Sequence, residues 1–450
     1  MEAPICALST PMGSGGIAVI RISGTDIFSK INPLFKAVDL QKSEANKVYF
    51  GKFRDQSGTI IDEVLLTVFH NPKSYTGEDS IEISCHCNRL IIEAILTALN
   101  SVGIRLAEAG EFTKRAFLNG KLDLTQAEAV ADLIHANTSY ASKNALNILD
   151  GKLSRIVNEM RQQMIKTAGL LEIDLDFSED DLDLVDMNIV KKYIQTSIDM
   201  MTSFLQTSNE LRFVNEGVKL AIVGQPNAGK SSLLNALLGK DRAIVSDIEG
   251  TTRDTIEESI YLNGLLIRLI DTAGIRESSD KIEQIGVEIS FSSIDKSDCV
   301  VLVVDSVKGF SEEDQKIYSY AQSQGKKVII AFNKADLKVM KPSKYPNSIQ
   351  VSAKTEYHLD ALKEEIVSLF QLDKLEANDD LVVSNLRHEL ALKNAISFLE
   401  NATHAIDSGF GNEIISFDIR SAIDELGAVT GEIKSVDVLN DIFANFCIGK

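Results

Sequence analysis

Residues 224–231 read Gly-Gln-Pro-Asn-Ala-Gly-Lys-Ser and match the phosphate-binding loop pattern GxxxxGK[ST]. The apolar run Val218–Val223 before them predicts a strand, and Ser232–Leu238 predicts the helix that follows. Glycines let backbone N–H groups wrap phosphate oxygens at a helix N-terminus, which favours anions. Lys230 would then reach the β- and γ-phosphates, and Ser231 would ligate Mg²⁺. The stretch predicts an α/β domain that binds a nucleoside triphosphate.

A second motif indicates which base the site accepts. Residues 333–336 read Asn-Lys-Ala-Asp and follow the apolar run Val328–Phe332. The Asp336 carboxylate can accept hydrogen bonds from guanine N1–H and N2–H₂, a donor pair that adenine lacks. Residues 352–354 read Ser-Ala-Lys, follow the predicted strand Ile349–Val351 and resemble the last guanine-contacting motif of GTPases. Either motif alone is compatible with a surface loop, but their order after the phosphate loop indicates GTP.

The γ-phosphate side of the site is predicted from residues 271–274, Asp-Thr-Ala-Gly. They end a predicted strand that begins at Leu265 and pairs with Thr255–Leu262 across Asn263-Gly264, a strong hairpin signal. Asp271 would hold Mg²⁺ through water. These residues predict the segment that senses the triphosphate.

Residues 250–254, Gly-Thr-Thr-Arg-Asp, lie where a switch loop is expected, and Thr252 would complete the Mg²⁺ shell. Many small GTPases place a water-orienting glutamine directly after Asp-Thr-Ala-Gly, but this chain has Ile275 there. Hydrolysis therefore needs another arrangement. Asn227 could help to hold a monovalent cation beside the phosphates, and Glu283 could position the water. Spacing alone favours a solvated helix position for Glu283.

These motifs together predict one nucleotide site with Mg²⁺ on Ser231 and Thr252. The residues that these motifs predict to line it are Asn227, Ala228, Gly229, Lys230, Ser231, Ser232, Gly250, Thr251, Thr252, Asp271, Thr272, Ala273, Gly274, Asn333, Lys334, Ala335, Asp336, Ser352, Ala353 and Lys354. Lys230 is also predicted to act in catalysis.

The pattern along the chain predicts four regions. Residues 1–118 mix strand-like runs such as Ile17–Ile22 with Gly, Pro and Asn, which predicts a small α+β domain. Helical periodicity fills 119–213, strands alternate with helices over 214–373, and helical periodicity returns over 374–450. We interpret this as an α/β domain inserted into a discontinuous helical domain. Two separate helical domains would give the same pattern.

Composition limits the class of protein. The 450 residues are 44% hydrophobic and 25% charged, which is typical of soluble globular chains. No apolar run reaches the roughly 18 residues of a membrane span, and no signal-peptide pattern is present. Five scattered cysteines predict a reduced, cytoplasmic protein. A net charge of −19 argues against binding nucleic acid through an overall basic surface, so a partner or a local patch must supply positive charge.

Long strings outside the nucleotide motifs resemble the MnmE (TrmE) family of tRNA modification GTPases. The matching strings lie at 10–24, 75–79, 110–119, 121–129 and 446–450. The resemblance implies an N-terminal folate-binding domain that also forms a homodimer, a discontinuous helical domain and an inserted G domain. It further implies an FAD-dependent MnmG-type partner and a tetrahydrofolate derivative, 5-formyl or methylene, as one-carbon source. The expected substrate is the wobble uridine of tRNA, modified at C5, with hydrolysis activated by K⁺-dependent pairing of G domains.

The resemblance also implies roles for individual residues. Glu283 matches the family's proposed catalytic glutamate, which reverses the interpretation from spacing, and Cys447 matches a cysteine proposed to take part in the chemistry. The K⁺ ligands implied are Asn227, Ser246, Ile248 and Thr251, and the folate-binding residues implied are Arg21, Glu82, Lys121 and Lys450. The resemblance also adds Ser246, Asp247, Ile248 and Glu249 to the residues expected to line the nucleotide site. Ser246 replaces the threonine expected there, which a backbone ligand would tolerate.

Simpler interpretations remain beside these roles. Arg21 fits a surface charge, Glu82 the polar face of an edge strand, and Cys447 a buried small apolar residue. The whole chain could instead be a regulatory GTPase that only switches a ribosomal or membrane partner. The N-terminal region and Cys447 discriminate between the two functions, because a pure switch has no use for a one-carbon carrier.

Overall fold

The computed structural model describes most of the chain in two compact units. The described residues are 3–13, 15–136, 138–176, 186–239, 258–262, 265–270, 285–337, 347–370, 381, 383, 385–432, 439, 442–443, 446 and 449. One unit comprises residues 1–135, 145–201 and 390–450, and the other comprises 136–144 and 202–389. The second unit therefore interrupts the first, which is the inserted arrangement predicted from the pattern. The domain boundaries at 118, 213 and 373 stay predictions.

A six-stranded sheet forms the N-terminal part of the first unit. Its strands are β1 Ile5–Leu8, β2 Ile17–Ser23, β3 Lys47–Arg54, β4 Ile60–Phe69, β5 Ser80–His86 and β6 Arg105–Leu106, and its helices are α1 Ile27–Ile31, α2 Arg89–Ser101 and α3 Glu111–Leu118. The strand order is β3-β4-β5-β2-β1-β6. Pairing is antiparallel except between β1 and β6. The predicted strand Ile17–Ile22 is confirmed.

Side-chain alternation along β2 and β5 decides which residues reach the core. Ile20 and Ile22 of β2, with Ile81 and Ile83 of β5, are fully buried beneath the sheet. Because successive side chains of a strand point to opposite faces, the residues between them face the other side. That opposite face carries the polar residues described below.

Four helices follow this sheet along the chain. They are α4 Leu124–His135, α5 Ser139–Leu149, α6 Lys152–Asp176 and α7 Met187–Glu216. Helices α4 and α6 lie in the first unit, whereas residues 139–144 of α5 and 202–216 of α7 belong to the second. Buried residues recur along α6 at Leu153, Val157, Met160 and Met164, steps of three and four that give one apolar face. In the described part of the chain, no helix combines the length and the apolar character needed to cross a bilayer.

The second unit contains a mainly parallel sheet with helices, as the motifs predict. Its elements are β7 Val218–Val223, α8 Lys230–Leu238, β8 Glu258–Leu262, β9 Leu265–Ile270, α9 Ile285–Asp295, β10 Cys299–Asp305, α10 Glu312–Ser323, β11 Lys327–Asn333, β12 Ser348–Gln350 and α11 Leu359–Ser368. The strand order is β12-β11-β10-β7-β9-β8, and only β8 runs antiparallel to its neighbour. The hairpin of β8 and β9 is confirmed, while its turn at Asn263 and Gly264 lies outside the described residues. The loops after β7, β10 and β11 meet at one edge of the sheet, where ligands of such folds bind.

Two further helices return to the first unit after the second. They are α12 Leu386–Asp407 and α13 Asn412–Thr430. Helix α13 packs along α6, and Arg161 of α6 binds both carboxylate oxygens of Glu432 just beyond α13. Helical segments from both sides of the interruption therefore form one packed body, which confirms the discontinuous helical domain.

Candidate functional site

Two glycines let the phosphate loop pass close to its neighbours. The loop joins β7 to α8, and at Gly224 (φ +144°) a Cβ atom would lie 2.3 Å from the Val303 carbonyl oxygen of β10. At Gly229 (φ +95°) a Cβ atom would lie 2.1 Å from the Asn333 side-chain nitrogen. Both positions combine a left-handed backbone with no room for a side chain, so only glycine fits. The two glycines thus let the loop backbone take the tight path that brings its amides to a phosphate.

Lys230 and Ser231 occupy the first turn of α8. The Lys230 ammonium donates to the carbonyl oxygens of Gly224 at 2.8 Å and Gln225 at 2.9 Å, and burial lowers its pKa. Ser231 is exposed beside it. A cation folded over the loop and a hydroxyl at a helix N-terminus fit a triphosphate with Mg²⁺. The geometry therefore suits the roles predicted for both residues.

Asn333 joins three of the predicted motifs. Its Nδ2 donates to the Ala228 carbonyl oxygen of the phosphate loop at 2.9 Å, and its Oδ1 accepts from the Ala353 amide at 3.0 Å. The residue is only 2% exposed. Because both ends of the carboxamide are bound, Asn333 fixes the phosphate loop relative to the two guanine motifs.

The proposed base contact is held by a neighbouring motif. Ser352, fully buried, donates from its hydroxyl to Asp336 Oδ1 at 2.7 Å. Asp336 is itself exposed, and Lys354 and Ser232 are exposed in the same unit. One carboxylate oxygen is thus fixed while the residue still faces solvent. This is the state required of a group that accepts hydrogen bonds from a base.

Lys334 bridges the phosphate loop and an acid that the motifs did not indicate. Its Nζ donates to the Asn227 carbonyl oxygen at 2.9 Å and to Asp305 Oδ2 at 2.6 Å. Burial of Asp305 opposes ionisation, but hydrogen bonds from Lys334 and from the amides of Val307 and Lys308 lower its pKa. Asp305 is the last residue of β10. Its place at the carboxyl end of a parallel strand, where ligands of such folds bind, is the one feature of the sequence that could have indicated it.

Asn227 has a left-handed backbone, with φ at +63°. Among the described residues, none forms a hydrogen bond with its carboxamide, and the side chain is exposed. An amide oxygen in that state is free to bind a ligand. Other predicted site residues lie outside the described residues: Ser246, Asp247, Ile248, Glu249, Gly250, Thr251, Thr252, Asp271, Thr272, Ala273, Gly274, Glu283, Cys447 and Lys450.

Arg21 and Glu82 form an ion pair on neighbouring strands. They are directly opposite in the pairing of β2 with β5, and Arg21 Nε donates to Glu82 Oε1 at 3.0 Å. The guanidinium carbon of Arg21 also lies 5.2 Å from the ring centre of Tyr75. The motifs did not indicate this contact. Because β5 lies between β4 and β2, the edge-strand interpretation of Glu82 is wrong. Arg21 is likewise a paired group and not a free surface charge.

Lys121 borders the same region. Its ammonium donates to the Pro72 carbonyl oxygen at 3.1 Å, and its side chain lies 3.2 Å from the position of a Cβ atom at Gly77. Pro72 and Gly77 flank the segment that carries Tyr75. Arg21 and Lys121, two of the four residues implied for folate, therefore contact the segment 72–77, and a third, Glu82, pairs with Arg21.

The C-terminal segment packs on the first strand. Ser9 donates from its hydroxyl to the Gly449 carbonyl oxygen at 3.2 Å, and at Gly449 (φ +94°) a Cβ atom would lie 2.4 Å from the Leu8 carbonyl oxygen. Leu8 belongs to β1, in which Ala7 pairs with Arg21. Upstream of Gly449, Phe443 and Phe446 join an apolar cluster with Leu124, Ala127 and Phe117. Residue 449 thus lies against the strand next to Arg21.

Two family models and several known proteins match this chain over nearly its whole length. The model of the MnmE helical domain matches residues 124–447, and that of the GTP-binding protein TrmE N-terminus matches residues 4–121. The tRNA modification GTPase MnmE of Acetivibrio thermocellus is 40% identical over 458 residues, covering 100% of this chain and 99% of its own. Those of Natranaerobius thermophilus (458 residues) and Aquifex aeolicus (454 residues) are each 41% identical and cover 100% of both chains. This chain therefore belongs to the MnmE (TrmE) family of tRNA modification GTPases.

Proposed function

We propose that this chain hydrolyses GTP to drive modification of C5 of the wobble uridine in tRNA. Its FAD-dependent MnmG-type partner and a tetrahydrofolate derivative take part, and an aminomethyl or carboxymethylaminomethyl group is formed. The observation that carries the GTPase part is the Asn333 carboxamide, which joins the phosphate loop to the Ser352-Ala353-Lys354 motif. Such a link brings the phosphate-binding and base-binding elements into one site.

K⁺ is proposed to activate hydrolysis through Asn227. A monovalent cation beside the phosphates supplies positive charge where charge develops in the transition state. Two features support this role: the Asn227 carboxamide has no hydrogen-bond partner among the described residues, and its backbone is left-handed. The remaining ligands, Ser246, Ile248 and Thr251, and the water-positioning role of Glu283, are proposed from the family resemblance.

The salt dependence of hydrolysis tests this part. GTP turnover is measured in K⁺ and in Na⁺ at constant ionic strength, with Asn227→Ala as the variant. Wild-type turnover is expected to be much faster in K⁺ than in Na⁺. This difference should be lost in Asn227→Ala. Equal wild-type rates in the two salts would refute the cation role.

The N-terminal region is proposed to bind the one-carbon carrier. A pterin ring presents adjacent N–H groups, and a carboxylate such as that of Glu82 can accept hydrogen bonds from them. The negatively charged glutamate tail of a folate is bound by cations such as Arg21 or Lys121. Arg21 and Lys121 contact the segment 72–77 that carries Tyr75, and Glu82 pairs with Arg21. Residue 449 lies beside β1, the strand in which Ala7 pairs with Arg21. This supports Lys450 as the fourth contact.

One assay separates the proposed function from a purely regulatory GTPase. Undermodified tRNA is incubated with this chain, the FAD-dependent partner, a folate and GTP, and each component is omitted in turn. Modification is expected only in the complete mixture, and calorimetry should show binding of 5-formyltetrahydrofolate. GTP hydrolysis without folate binding or modification would favour the regulatory switch.

The negative net charge of the chain affects how strongly it can bind tRNA. With a net charge of −19, the isolated chain is proposed to bind tRNA weakly, with affinity falling steeply as salt rises. The partner would supply the basic surface. Tight binding by the isolated chain that is insensitive to salt would contradict this division of roles.

A further inference from the structure

We infer that Asp305 is a positioning residue that couples the guanine-binding motif to the cation-binding asparagine of the phosphate loop. Through Lys334, its carboxylate sets the backbone of Asn227 and thereby the direction of the Asn227 carboxamide. This inference rests on the proposed K⁺ activation. It assigns a role to a residue that belongs to none of the motifs.

Asp305 is held rigidly at the end of β10. It pairs with Asn333 across β10 and β11, and its side chain is 10% exposed. Its Oδ1 accepts from the Val307 amide at 2.8 Å, and its own carbonyl oxygen accepts from the Gly309 amide at 2.9 Å. The strand and the turn after it therefore hold the Asp305 carboxylate in place independently of Lys334.

The Lys334 ammonium lies between this carboxylate and the phosphate loop. It is 2.6 Å from Asp305 Oδ2 and 2.9 Å from the Asn227 carbonyl oxygen. Lys334 and Asn227 both have left-handed backbones, with φ at +66° and +63°. Residues other than glycine adopt this conformation rarely, so surrounding contacts must hold it. The ammonium is the contact that joins the two positions.

The carboxamide of Asn227 depends on that backbone for its direction. Its side chain is exposed and forms no hydrogen bond with the described part of the chain, so no neighbour there orients it. If the Asp305 charge is removed, the ammonium loses its anchor and the Asn227 carbonyl loses a fixed donor. Cation affinity should then fall although every cation ligand is still present.

The test compares two conservative changes at opposite ends of one strand. Asp305→Asn keeps the side-chain shape and an acceptor for the Val307 amide but removes the charge that faces Lys334. Asp298→Asn is the matched control, because Asp298 lies just before β10 and accepts from the Lys219 amide. Asp305→Ser, which also retains an acceptor, replaces the first variant if it does not fold.

Two quantities are measured on the full-length chain. The first is the K⁺ concentration that gives half-maximal GTP turnover, with choline holding ionic strength constant. The second is hydrogen–deuterium exchange of the phosphate-loop peptide without nucleotide, which does not depend on catalysis. We expect Asp305→Asn to raise the half-saturating K⁺ concentration by about three- to tenfold, a factor in keeping with the net contribution of one ordinary hydrogen bond. Exchange in the loop should also become faster, and Asp298→Asn should change neither.

The outcomes separate this inference from the proposed function. A wild-type chain that K⁺ activates, with an Asp305 variant whose half-saturating K⁺ concentration is unchanged, would overturn the inference and leave the proposed function intact. Equal wild-type rates in K⁺ and Na⁺ would overturn the inference together with the proposed activation by K⁺. A shift of equal size in Asp298→Asn would show a general effect of the sheet and would also overturn the inference.

Discussion

The side-chain nitrogen of Asn333 lies 2.9 Å from the carbonyl oxygen of Ala228, and this bond ties the strand that carries the guanine motif to the phosphate loop. The same carboxamide accepts from the Ala353 amide. Since a nucleotide must contact the loop and both guanine motifs together, their relative placement before binding lowers the cost of ordering them. Asn333 thus acts by preparing the site.

Replacement of Asn333 by alanine should loosen this preparation. The partly buried Ala353 amide and the buried Ala228 carbonyl would lose this partner, at a cost of about 1–3 kcal/mol in the free energy of unfolding. Affinity for a fluorescent GDP analogue should fall as well. Urea unfolding measures the stability, and fluorescence titration measures the affinity for the GDP analogue. Gln322→Ala, a change at an exposed residue of α10, is the control. A variant that loses neither stability nor affinity would show that the bonds have no such role.

The base preference should follow the Asp336 carboxylate. Asp336→Asn retains an acceptor for the Ser352 hydroxyl but presents a donor to guanine, so GTP affinity should fall on the order of a hundredfold. Xanthosine triphosphate, which lacks the guanine amino group, should then be preferred. Competition titrations of both nucleotides measure the preference, and Asp360→Asn on the surface of α11 serves as control. An unchanged preference argues against contact with the base.

Removal of the Glu283 carboxylate should affect chemistry more than binding. If it positions the attacking water, Glu283→Ala should lower kcat by about a hundredfold with little change in GTP affinity. Single-turnover hydrolysis and nucleotide titration give the two numbers. Glu313→Ala, an exposed acid on α10, is the control. Lost nucleotide binding in Glu283→Ala would instead indicate a structural role.

The C-terminal contact offers a pair of matched glycine variants. At Gly449 a Cβ atom would meet the Leu8 carbonyl oxygen at 2.4 Å, whereas Gly409, also left-handed, has open space around it. Both alanine variants carry backbone strain, but only Gly449→Ala should push the tail away from β1. We expect Gly449→Ala to weaken binding of 5-formyltetrahydrofolate in calorimetry and Gly409→Ala to leave it unchanged. Equal binding by both would mean that the tail does not contribute to the folate site.

Acid stability of the first unit should depend on Glu111. Burial alone would raise the pKa of this carboxyl, but Arg105, the Glu108 amide and Arg115 together lower it from 4.5 to about 2. A depressed pKa in the folded state means stability that is present above pH 4.5 and is lost as the pH falls towards 2. The contribution is of order ~3 kcal/mol.

The pH dependence of urea unfolding tests this contribution. Glu111→Gln should be less stable at neutral pH and should lose much of the decline in stability between pH 4.5 and 2. Glu93→Gln removes an exposed acid paired with Arg89 and should keep the wild-type decline. A decline in Glu111→Gln as steep as that of the wild type would assign the acid sensitivity to other carboxyls.

The sequence predicted local elements of the site better than their connections. The strand Val218–Val223 was predicted to the residue, because an apolar run bounded by glycine has few alternatives. The bond between Asn333 and Ala228 spans 105 residues of chain, and no local pattern encodes such a distance. Asp305 was missed because a single acid at the end of a strand carries no motif.

Glu82 shows a second limit of local patterns. Alternating polar and apolar residues describe an edge strand and an interior strand with one polar face equally well, so β5 could not be placed from its own residues. Its position follows from pairing with β2 and β4 together. The contact of Arg21 with Tyr75 is likewise made by separate segments of the N-terminal region. The motif strings indicated the family but not which side chains meet.

The bond between Ser9 and Gly449 joins residues that are 440 positions apart. During synthesis β1 is made first, yet this contact cannot form until residue 449 has left the ribosome. The first unit must therefore stay incomplete while residues 202–389, which make up most of the second unit, are translated and have time to fold. The emergence of residue 449 then becomes the event that closes the first unit, so a stop codon before it would leave a folded GTPase module attached to an unfinished N-terminal region.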